Sequence, residues 1–361
     1  DAPGTMIAGE SEVPDQSVCG AALIKDEARI SVLGVPDVPG TSLEIFSRVA
    51  ARNISVDMIV QNVGEAGKAD ISFTVPRNEL TPALEAVQQA AQVLRAREVN
   101  HDVNVAKVSV VGLGMARQTG VAERMFRALA DAGINIQMIT TSEIKISVLV
   151  ERDAAAQALR IVHRAFQLEQ APRKPLTSGQ PTVSAATRAD AADVVARLQG
   201  VDMEELFIRE IELDESQARV TISGVPDKPG IAAKVFEEVA AAGIFVDMIV
   251  QSHTGHGAAS LSFTVPQARL NDAIAVAQRV ATTFECQGVT SSPKVAKLSV
   301  SGVGLRSHTG VAIRMFKALS EAGLNVDLIS TSEVRVNVIV GGDSGREALQ
   351  RLESAFNDVL H

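Results

Sequence analysis

Apolar and polar residues alternate along residues 29–35, as in a half-buried strand. A turn rich in Pro and Gly follows, and then an apolar stripe with helical spacing across residues 42–50. Residues 54–60 and 69–75 predict two further strands, and the spacing of apolar residues in 84–94 predicts a second helix. The order strand, helix, strand, strand, helix predicts an antiparallel sheet with two helices on one face.

The same order recurs farther along the chain. Residues 106–111 predict a strand, 121–132 a helix, 134–140 and 144–150 two strands, and 154–166 a final helix. Residue pairs such as Gly40 with Gly120 and Phe46 with Phe126 align at an offset of about 80 residues. We interpret the two stretches as related units, each the size of a small domain that depends on neighbours to complete its core.

The pair of units is itself duplicated at an offset of 190 residues, without a gap. Residues 34–37 (Gly-Val-Pro-Asp) return at 224–227, and residues 56–61 (Val-Asp-Met-Ile-Val-Gln) return at 246–251. The recurring residues are mostly small, polar or turn-forming, which favours a duplicated site over a duplicated scaffold alone. We therefore divide the chain into an extension (1–17), unit A1 (18–100, whose first strand is a candidate member of the B1 sheet), unit B1 (101–169), a linker with a short helix at 189–198 (170–200), unit A2 (201–290) and unit B2 (291–361).

Composition restricts the classes of partner. The chain has 361 residues, 46% of them hydrophobic, and a formal net charge of −9. This charge argues against a surface for nucleic acid or anionic membrane, because both require clustered Lys and Arg. RNA-recognition domains share the predicted topology but stack bases on aromatic rings. This chain has no Trp, no Tyr and only 3% aromatic residues, so we expect no nucleic-acid partner and no membrane partner.

Few residues have the chemistry of metal or redox sites. Cys19 and Cys286 lie in different units without metal-ligand spacing, which predicts free thiols in a reducing cytoplasm. His253 and His256 share a predicted hairpin loop but lack further ligands, so we predict solvated histidines and no metal site. We find no apolar run of about 18 residues, no basic-then-apolar leader and no convergent catalytic set. We expect a cytoplasmic chain without catalytic residues of its own.

Four segments carry a resemblance to a known family. Residues 59–62, 73–76, 107–115 and 139–148 closely resemble the regulatory region of aspartokinase, which consists of paired ACT domains, the amino-acid-sensing modules of biosynthetic enzymes. The resemblance implies an α+β fold with four ferredoxin-like βαββαβ ACT domains in two tandem pairs, each with an antiparallel sheet and helices on one face.

The resemblance also limits what the chain contains. Residues 3–7 are similar to the end of the kinase domain in that family, but no Lys-Tyr/Phe-Gly-Gly-Thr/Ser type motif is present. The resemblance, together with the missing motif, implies a chain with no ATP site and no cofactor of its own, because ATP and Mg belong to the kinase domain. Either a fragment of a four-ACT aspartokinase or a separately made regulatory subunit is compatible with this pattern.

The turn before the first helix has the chemistry of an amino-acid site. The turn at 37–40 leads directly into a helix, whose free N–H groups and positive end suit a carboxylate. Gly40 permits close approach to the backbone, and Asp37 has the charge to pair with an ammonium group. Turn formation by Pro-Gly and helix capping by Asp37 explain the same residues structurally. Residues 227–230 repeat the device.

The resemblance implies that lysine and threonine bind where the loop of an A unit meets the second strand of a B unit. For Gln61 and Gln251 the alternative is a contact at a sheet edge, and for Ser142 and Glu143 it is a turn between strands. The copies differ at Ser42, where the second copy has Ala232. The implied effector residues are Asp37, Gly40, Ser42, Gln61, Asn135, Ile136, Ser142 and Glu143 for the first pair, and Asp227, Gly230, Ala232, Gln251, Asn325, Val326, Ser332 and Glu333 for the second.

Two classes of function follow from these observations. The first is an allosteric region that binds lysine or threonine, acts on its own kinase domain and forms a homodimer through the ACT sheets. The second is a structural or oligomerisation module, because sheet edges invite pairing. Calorimetry with amino acids separates them.

Overall fold

The computed structural model describes most of the chain. The segments 1–17 and 171–206, the latter with the predicted helix at 189–198, and residues Glu143, His256 and Glu333 lie outside the described residues. The described residues are 18–63, 67–112, 115, 120–142, 144–170, 207–255, 257–303, 310–332 and 335–360.

The first half of the chain contains two βαββα units, as the periodicity predicts. Most boundaries lie within a few residues of the predicted ones. The elements are β1 (Gly20–Pro36), α1 (Thr41–Ala50), β2 (Val60–Val63), β3 (Lys68–Pro76), α2 (Leu80–Leu94), β4 (Glu98–Val111), α3 (Val121–Asp131), β5 (Met138–Ser142), β6 (Lys145–Glu151) and α4 (Ala155–Ala165).

The second half repeats this order and begins with an additional strand. Its elements are β7 (Phe207–Asp214), β8 (Gln217–Pro226), α5 (Ile231–Ala241), β9 (Ile249–Gly255), β10 (Ala258–Pro266), α6 (Leu270–Thr283), β11 (Gly288–Ser292), β12 (Val295–Val303), α7 (Gly310–Glu321), β13 (Leu328–Thr331), β14 (Arg335–Gly341) and α8 (Gly345–Phe356).

One predicted strand is wrong over nearly its whole length, and its equivalent in B1 begins too early. Residues 54–60 read as a strand from their apolar pattern, but β2 begins only at Val60. Residues 134–140 read as a strand for the same reason, but β5 begins at Met138. Ile54, Met58 and Ile59 are nevertheless at most 4% exposed. They are buried in an irregular segment. The prediction failed because burial alone produces an apolar pattern, whether or not the segment pairs with a neighbouring strand.

The 14 strands of the described residues form one antiparallel sheet in the order β11-β8-β10-β9-β5-β6-β4-β1-β3-β2-β13-β14-β12-β7. The long strands β1 and β4 belong to two units at once. The end of β1 pairs with β3, with Glu27 opposite Pro76. The beginning of β1 pairs with the end of β4, with Gly20 opposite Val111. Units A1 and B1 therefore share two continuous strands and are mechanically joined.

The units associate across the duplication. A1 pairs with B2 through β2 and β13, with Gln61 opposite Ile329. B1 pairs with A2 through β5 and β9, with Ile139 opposite Gln251. In each association two phenylalanines on facing helices meet, with ring centroids 5.7 Å apart between Phe46 and Phe316 and 5.6 Å apart between Phe126 and Phe236. Two separate hydrophobic cores result, one for A1 with B2 and one for B1 with A2.

A third apolar cluster joins the two associations. It draws residues from all four units, including Met58, Met138, Met248 and Leu328. Strands β2 and β9 are not neighbours in the sheet, yet Asn62 Nδ2 donates to Ser252 Oγ at 3.0 Å. The sheet therefore folds back on itself, with its helix-free faces in contact.

Candidate effector clefts

The first cleft lies between A1 and B2 at the start of α1. Asn325 Nδ2 donates to Asp37 Oδ1 at 2.8 Å, so Asp37 holds the facing unit. The N-cap of α1 is Gly40, with φ 94° and no side-chain hydrogen bond to the helix end. A Cβ at Gly40 would stand 2.9 Å from Ser320 Oγ, so both the positive φ and the close approach require glycine here.

Gln61 closes the floor of this A1–B2 cleft. Its side chain is buried, accepts a hydrogen bond from Ser42 Oγ at 2.6 Å and donates to the carbonyl oxygen of Val326. Both ends of the amide are therefore used, one within A1 and one across to B2. A glutamine in this position links the helix, the strand and the partner unit.

The second cleft lies between B1 and A2 and repeats this arrangement with one change. Asn135 Nδ2 donates to Asp227 Oδ1 at 2.6 Å, and Gln251 Nε2 donates to the carbonyl oxygen of Ile136 at 2.8 Å. Ala232 stands where the first cleft has Ser42, so no hydroxyl is available to Gln251 from this position. Gly230 again has φ 94° and begins the helix.

The prediction that Asn135 and Ile136 share a cleft with Asp37 is wrong. Asn135 contacts Asp227 instead, and Asp37 is contacted by Asn325. The reason is strand pairing: β2 adds to β13 and β5 adds to β9, so each A unit meets the B unit of the other half. Sequence offsets reveal equivalent positions but contain no information on which copies meet.

Ser142 and Ser332 occupy neither cleft. Each donates to a backbone carbonyl across its own hairpin, at 3.4 Å to Lys145 and 3.3 Å to Arg335. Ser142 also lines a cavity of about 60 Å³ between the start of α3 and the A2 segment around Phe245. This cavity lies at the start of α3 in unit B1, which is the position equivalent to the start of α1 in the first cleft. Its walls are more apolar than those of the two clefts.

Sequence reasoning missed a set of residues behind the clefts. Arg219 Nη1 contacts Asp327 Oδ2 at 2.9 Å. Burial raises the pKa of the Asp327 carboxyl; Arg219 opposes this shift and the nearby Asp37 reinforces it. The position equivalent to Asp327 in B1 is Gln137, which accepts from Arg29 Nη1 at 3.2 Å. Comparing the copies at the 190-residue offset would have found this exchange of a carboxylate for an amide.

Both clefts are nearly closed. Each holds a cavity of about 10 Å³, which is about the space for one water molecule. An amino acid therefore fits only if groups that line the cleft move apart. Among the described residues no group of three His, Cys, Asp or Glu side chains is placed to hold a metal, and the side chain of His253 lies outside that set.

Other predictions have direct structural outcomes. Cys19 and Cys286 are free thiols, and burial raises the pKa of both. Within the described part of the chain, no helix combines the length and apolar character that crossing a membrane requires.

The comparisons with known proteins agree with the geometry. The ACT domain family model matches residues 30–91, 108–166, 220–280 and 298–356. The aspartokinase of Pseudomonas aeruginosa is 47% identical over 177 residues, covering 48% of this chain and 43% of that protein. The chain thus spans less than half the length of this curated relative.

Two solved structures are similar to this chain to different extents. The crystal structure of aspartate kinase from Synechocystis superposes with a TM-score of 0.81 at 30% identity, covering 95% of this chain and 56% of that one. The regulatory subunit of aspartate kinase from Thermus thermophilus is 41% identical over 42% of this chain and 99% of its own, with a TM-score of 0.40. The α+β fold with four βαββαβ units is confirmed. The chain belongs to the ACT domain family, and its four units are homologous to the regulatory region of aspartokinases.

Proposed function

We propose that this chain senses lysine, threonine or both, and feedback-controls the phosphorylation of aspartate in the biosynthesis of lysine, threonine and methionine. The observation that carries the proposal is the pair of equivalent clefts, each with an aspartate, a helix N-terminus and a buried glutamine at one unit boundary. The parent protein is then a cytoplasmic aspartokinase, with ATP and Mg at its kinase domain.

The polar groups of each cleft match the parts of a free amino acid. The carboxylate of Asp37 or Asp227 suits the α-ammonium group, since a charge-assisted hydrogen bond is stronger than a neutral one. The first turn of the following helix has N–H groups without intrahelical partners, which suit the α-carboxylate. The asparagine and glutamine amides add donors and acceptors that fix orientation.

The closed clefts supply a physical route to regulation. With a cavity of only about 10 Å³, ligand binding has to move α1 and β2 relative to α7 and β13. Unit A1 shares β1 and β4 with B1, so a shift at one cleft is transmitted along continuous strands to the other. The effector then favours one packing of the four units over another, and this differential affinity is the source of the allosteric free energy.

Isothermal titration calorimetry of the full 361-residue chain with L-lysine and L-threonine tests the proposal. We expect saturable heat with at least one of them and a rise in melting temperature on addition, because a ligand that binds only the folded state stabilises it. D-lysine and D-threonine serve as controls with the same charge. Absence of heat and of any thermal shift with both L-amino acids, separately and together, would refute the proposal.

A structural or oligomerisation module is the second candidate, favoured by the sheet itself. In the described part of the chain β11 and β7 end the sheet, and edge strands are sites of pairing with a second copy. We propose a homodimer through the ACT sheets in either case. Light scattering with and without lysine and threonine separates the candidates, because a purely structural module keeps one mass and one melting temperature under all conditions.

A further inference from the structure

Each A unit is joined to the B unit that follows it in the chain by two strands, and we call these two connections the A1–B1 and A2–B2 junctions. Two ladders of paired residues flank the midpoint of each junction, with the same register in both. They are 20–24 with 107–111 and 29–33 with 98–102 at the A1–B1 junction, and 210–214 with 297–301 and 219–223 with 288–292 at the A2–B2 junction.

The midpoints of the two junctions differ. At the A1–B1 midpoint Glu27 is paired with Val105, and both strands, β1 and β4, are continuous. The equivalent residues at the A2–B2 midpoint, Gln217 and Val295, are described but do not pair with each other. Both strands are interrupted there, one between β7 and β8 and the other between β11 and β12. Pro293 lies in the second interruption and has no N–H group to donate.

An arginine links the two strands at the A1–B1 midpoint. Arg152 Nη2 donates to the carbonyl oxygen of Glu27 at 2.9 Å and to that of Val105 at 3.3 Å. Its backbone N–H donates to the carbonyl oxygen of Asn104 at 3.0 Å. Hydrogen bonds from a charged donor are stronger than those from a neutral one. The strands β1 and β4 therefore cannot bend apart at this point without breaking these bonds.

The second half has a glycine where the first half has this arginine. Gly342 is equivalent to Arg152 at the 190-residue offset. A Cβ at Gly342 would lie 2.4 Å from Lys294 Cγ and 2.8 Å from the Lys294 carbonyl oxygen, so the backbone occupies the space that a side chain needs. Lys294 itself pairs with Asp343 at 3.0 Å, but this pair is exposed and lies within B2, where it contributes little to holding A2 against B2.

A side-chain link crosses both junctions and so does not distinguish them. Arg29 Nη1 donates to Gln137 Oε1 at 3.2 Å across the A1–B1 junction, and Arg219 Nη1 contacts Asp327 Oδ2 at 2.9 Å across the A2–B2 junction. A contact at one point keeps two units together but permits rotation about that point. The two junctions therefore differ in their backbone, which is paired and linked by Arg152 in one and interrupted in the other.

We propose that the A2–B2 junction is the hinge of this chain, and that A1 and B1 move as one rigid body held by Arg152. The inference rests on the proposed function for the force that drives the movement, which is an amino acid opening a cleft between facing units. Bending at residues 215–216 and 293–294 breaks no ladder pair and no hydrogen bond of Arg152. Hinges are typically a few residues at the ends of elements, where the backbone angles change at low cost.

Hydrogen exchange of the ligand-free 361-residue chain, followed by mass spectrometry, tests the hinge without any effector. Exchange rates are corrected for the intrinsic rate of each sequence, so that they report the free energy of local opening. We expect peptides covering 213–218 and 291–296 to exchange about tenfold faster than the equivalent peptides covering 23–28 and 101–106. Equal exchange at the two junctions would overturn the proposal.

The variant Arg152→Ala tests the residue that holds A1 and B1 together. We expect exchange of the A1–B1 peptides to rise toward the rate of the A2–B2 peptides, while the helices of all four units keep the rates of the parent. Arg160→Ala, which replaces an exposed arginine of α4 in the same unit, is the matched control and should change neither junction. Parent-like exchange at the A1–B1 junction in Arg152→Ala would contradict the role of Arg152.

The same measurement with saturating L-lysine and L-threonine connects the hinge to regulation. We expect exchange to change at the A2–B2 peptides and to stay constant at the A1–B1 peptides. A change confined to the A1–B1 junction, or at neither junction, in a chain that binds the amino acids would overturn the hinge and leave the proposed function intact. Absence of heat with both amino acids would remove the proposed function, whereas faster exchange at the ligand-free A2–B2 junction would still support the hinge.

Discussion

Replacing Gln61 with alanine tests the glutamine as the closing element of its cleft. In the parent, the buried amide accepts from Ser42 Oγ at 2.6 Å and donates to the carbonyl of Val326. The variant leaves the Val326 carbonyl buried without its donor, which costs about 1–3 kcal/mol. The Ser42 hydroxyl is free to rotate toward a backbone carbonyl of its own helix, which limits its loss. With the void added, we expect about 2–4 kcal/mol of lost stability.

The matched variant is Gln251→Ala. Gln251 donates to the carbonyl of Ile136 at 2.8 Å, and Ala232 offers it no hydroxyl, so one bond fewer is lost. We expect about 1–3 kcal/mol, less than for Gln61→Ala. Gln267→Ala is the control outside both clefts, because Gln267 Nε2 also donates to a backbone carbonyl, that of Glu215 at 2.8 Å, but at the exposed surface. It should cost under about 1 kcal/mol.

Urea unfolding followed by circular dichroism gives the order of stability, and calorimetry gives the affinity for each amino acid. We expect Gln61→Ala to weaken one amino acid and Gln251→Ala the other, each by more than tenfold, while Gln267→Ala binds both normally. If Gln61→Ala unfolds at the urea concentration of the parent and binds both amino acids normally, then the glutamine has no part in closing the cleft.

Three further predictions concern groups behind the clefts. Lys107→Met removes the partner of Asp57 in a buried ion pair, so we expect a loss of about 3–5 kcal/mol in urea unfolding. Asn62→Ala removes the hydrogen bond to Ser252 that links the strand of one cleft glutamine to that of the other; any effect of saturating threonine on the lysine Kd should shrink toward none. Burial chiefly, and Asp37 further, raise the pKa of Asp327 above 3.8, and a bound cation favours the ionised carboxyl. For lysine bound in the A1–B2 cleft, the affinity measured by calorimetry should therefore fall as pH is lowered through that raised pKa, while the affinity for norleucine, which lacks the side-chain ammonium group, should stay unchanged.

Each of these three predictions has a control variant or an outcome that would contradict it. Lys297→Met removes the equivalent partner of Asp247 in the second half and should cost a similar amount, so a large difference between the two lysine variants would contradict the symmetric role. Asn62→Ala with an unaltered threonine effect would remove the direct link between clefts. If lysine binding ionises Asp327, it releases protons, and the measured heat then depends on the ionisation enthalpy of the buffer. Identical heats in buffers of different ionisation enthalpy would contradict the pH prediction for Asp327.

The fold was largely predictable because its elements carry local patterns. Helix α1 was expected over 42–50 and spans Thr41–Ala50, since its apolar stripe has to face the core wherever the helix lies. The prediction of a strand at 54–60 was wrong because the burial of this segment depends on contacts with distant residues. Apolar spacing does not distinguish a paired strand from a buried irregular segment.

The candidate site was predictable residue by residue but not as an assembly. The turn and the repeat predict Asp37, Gly40 and Gln61. Gly40 and Gln61 line one cavity, and Asp37 accepts a hydrogen bond from Asn325 of the same cavity wall. Asp327 and Arg219 escaped notice, because neither belongs to a turn or a helix start and their meeting depends on contact between A2 and B2.

The sequence alone determined that four related units exist, where their helices and most of their strands lie, and which turn carries the polar groups, since all of these are properties of short segments. Only the tertiary structure decided that A1 meets B2 and B1 meets A2, and that the sheet folds back so that Asn62 reaches Ser252. The physical reason is that strand edges of similar sequence are nearly interchangeable locally. The choice between them is made by the packing of the whole chain, through the shared strands and the buried cluster common to all four units.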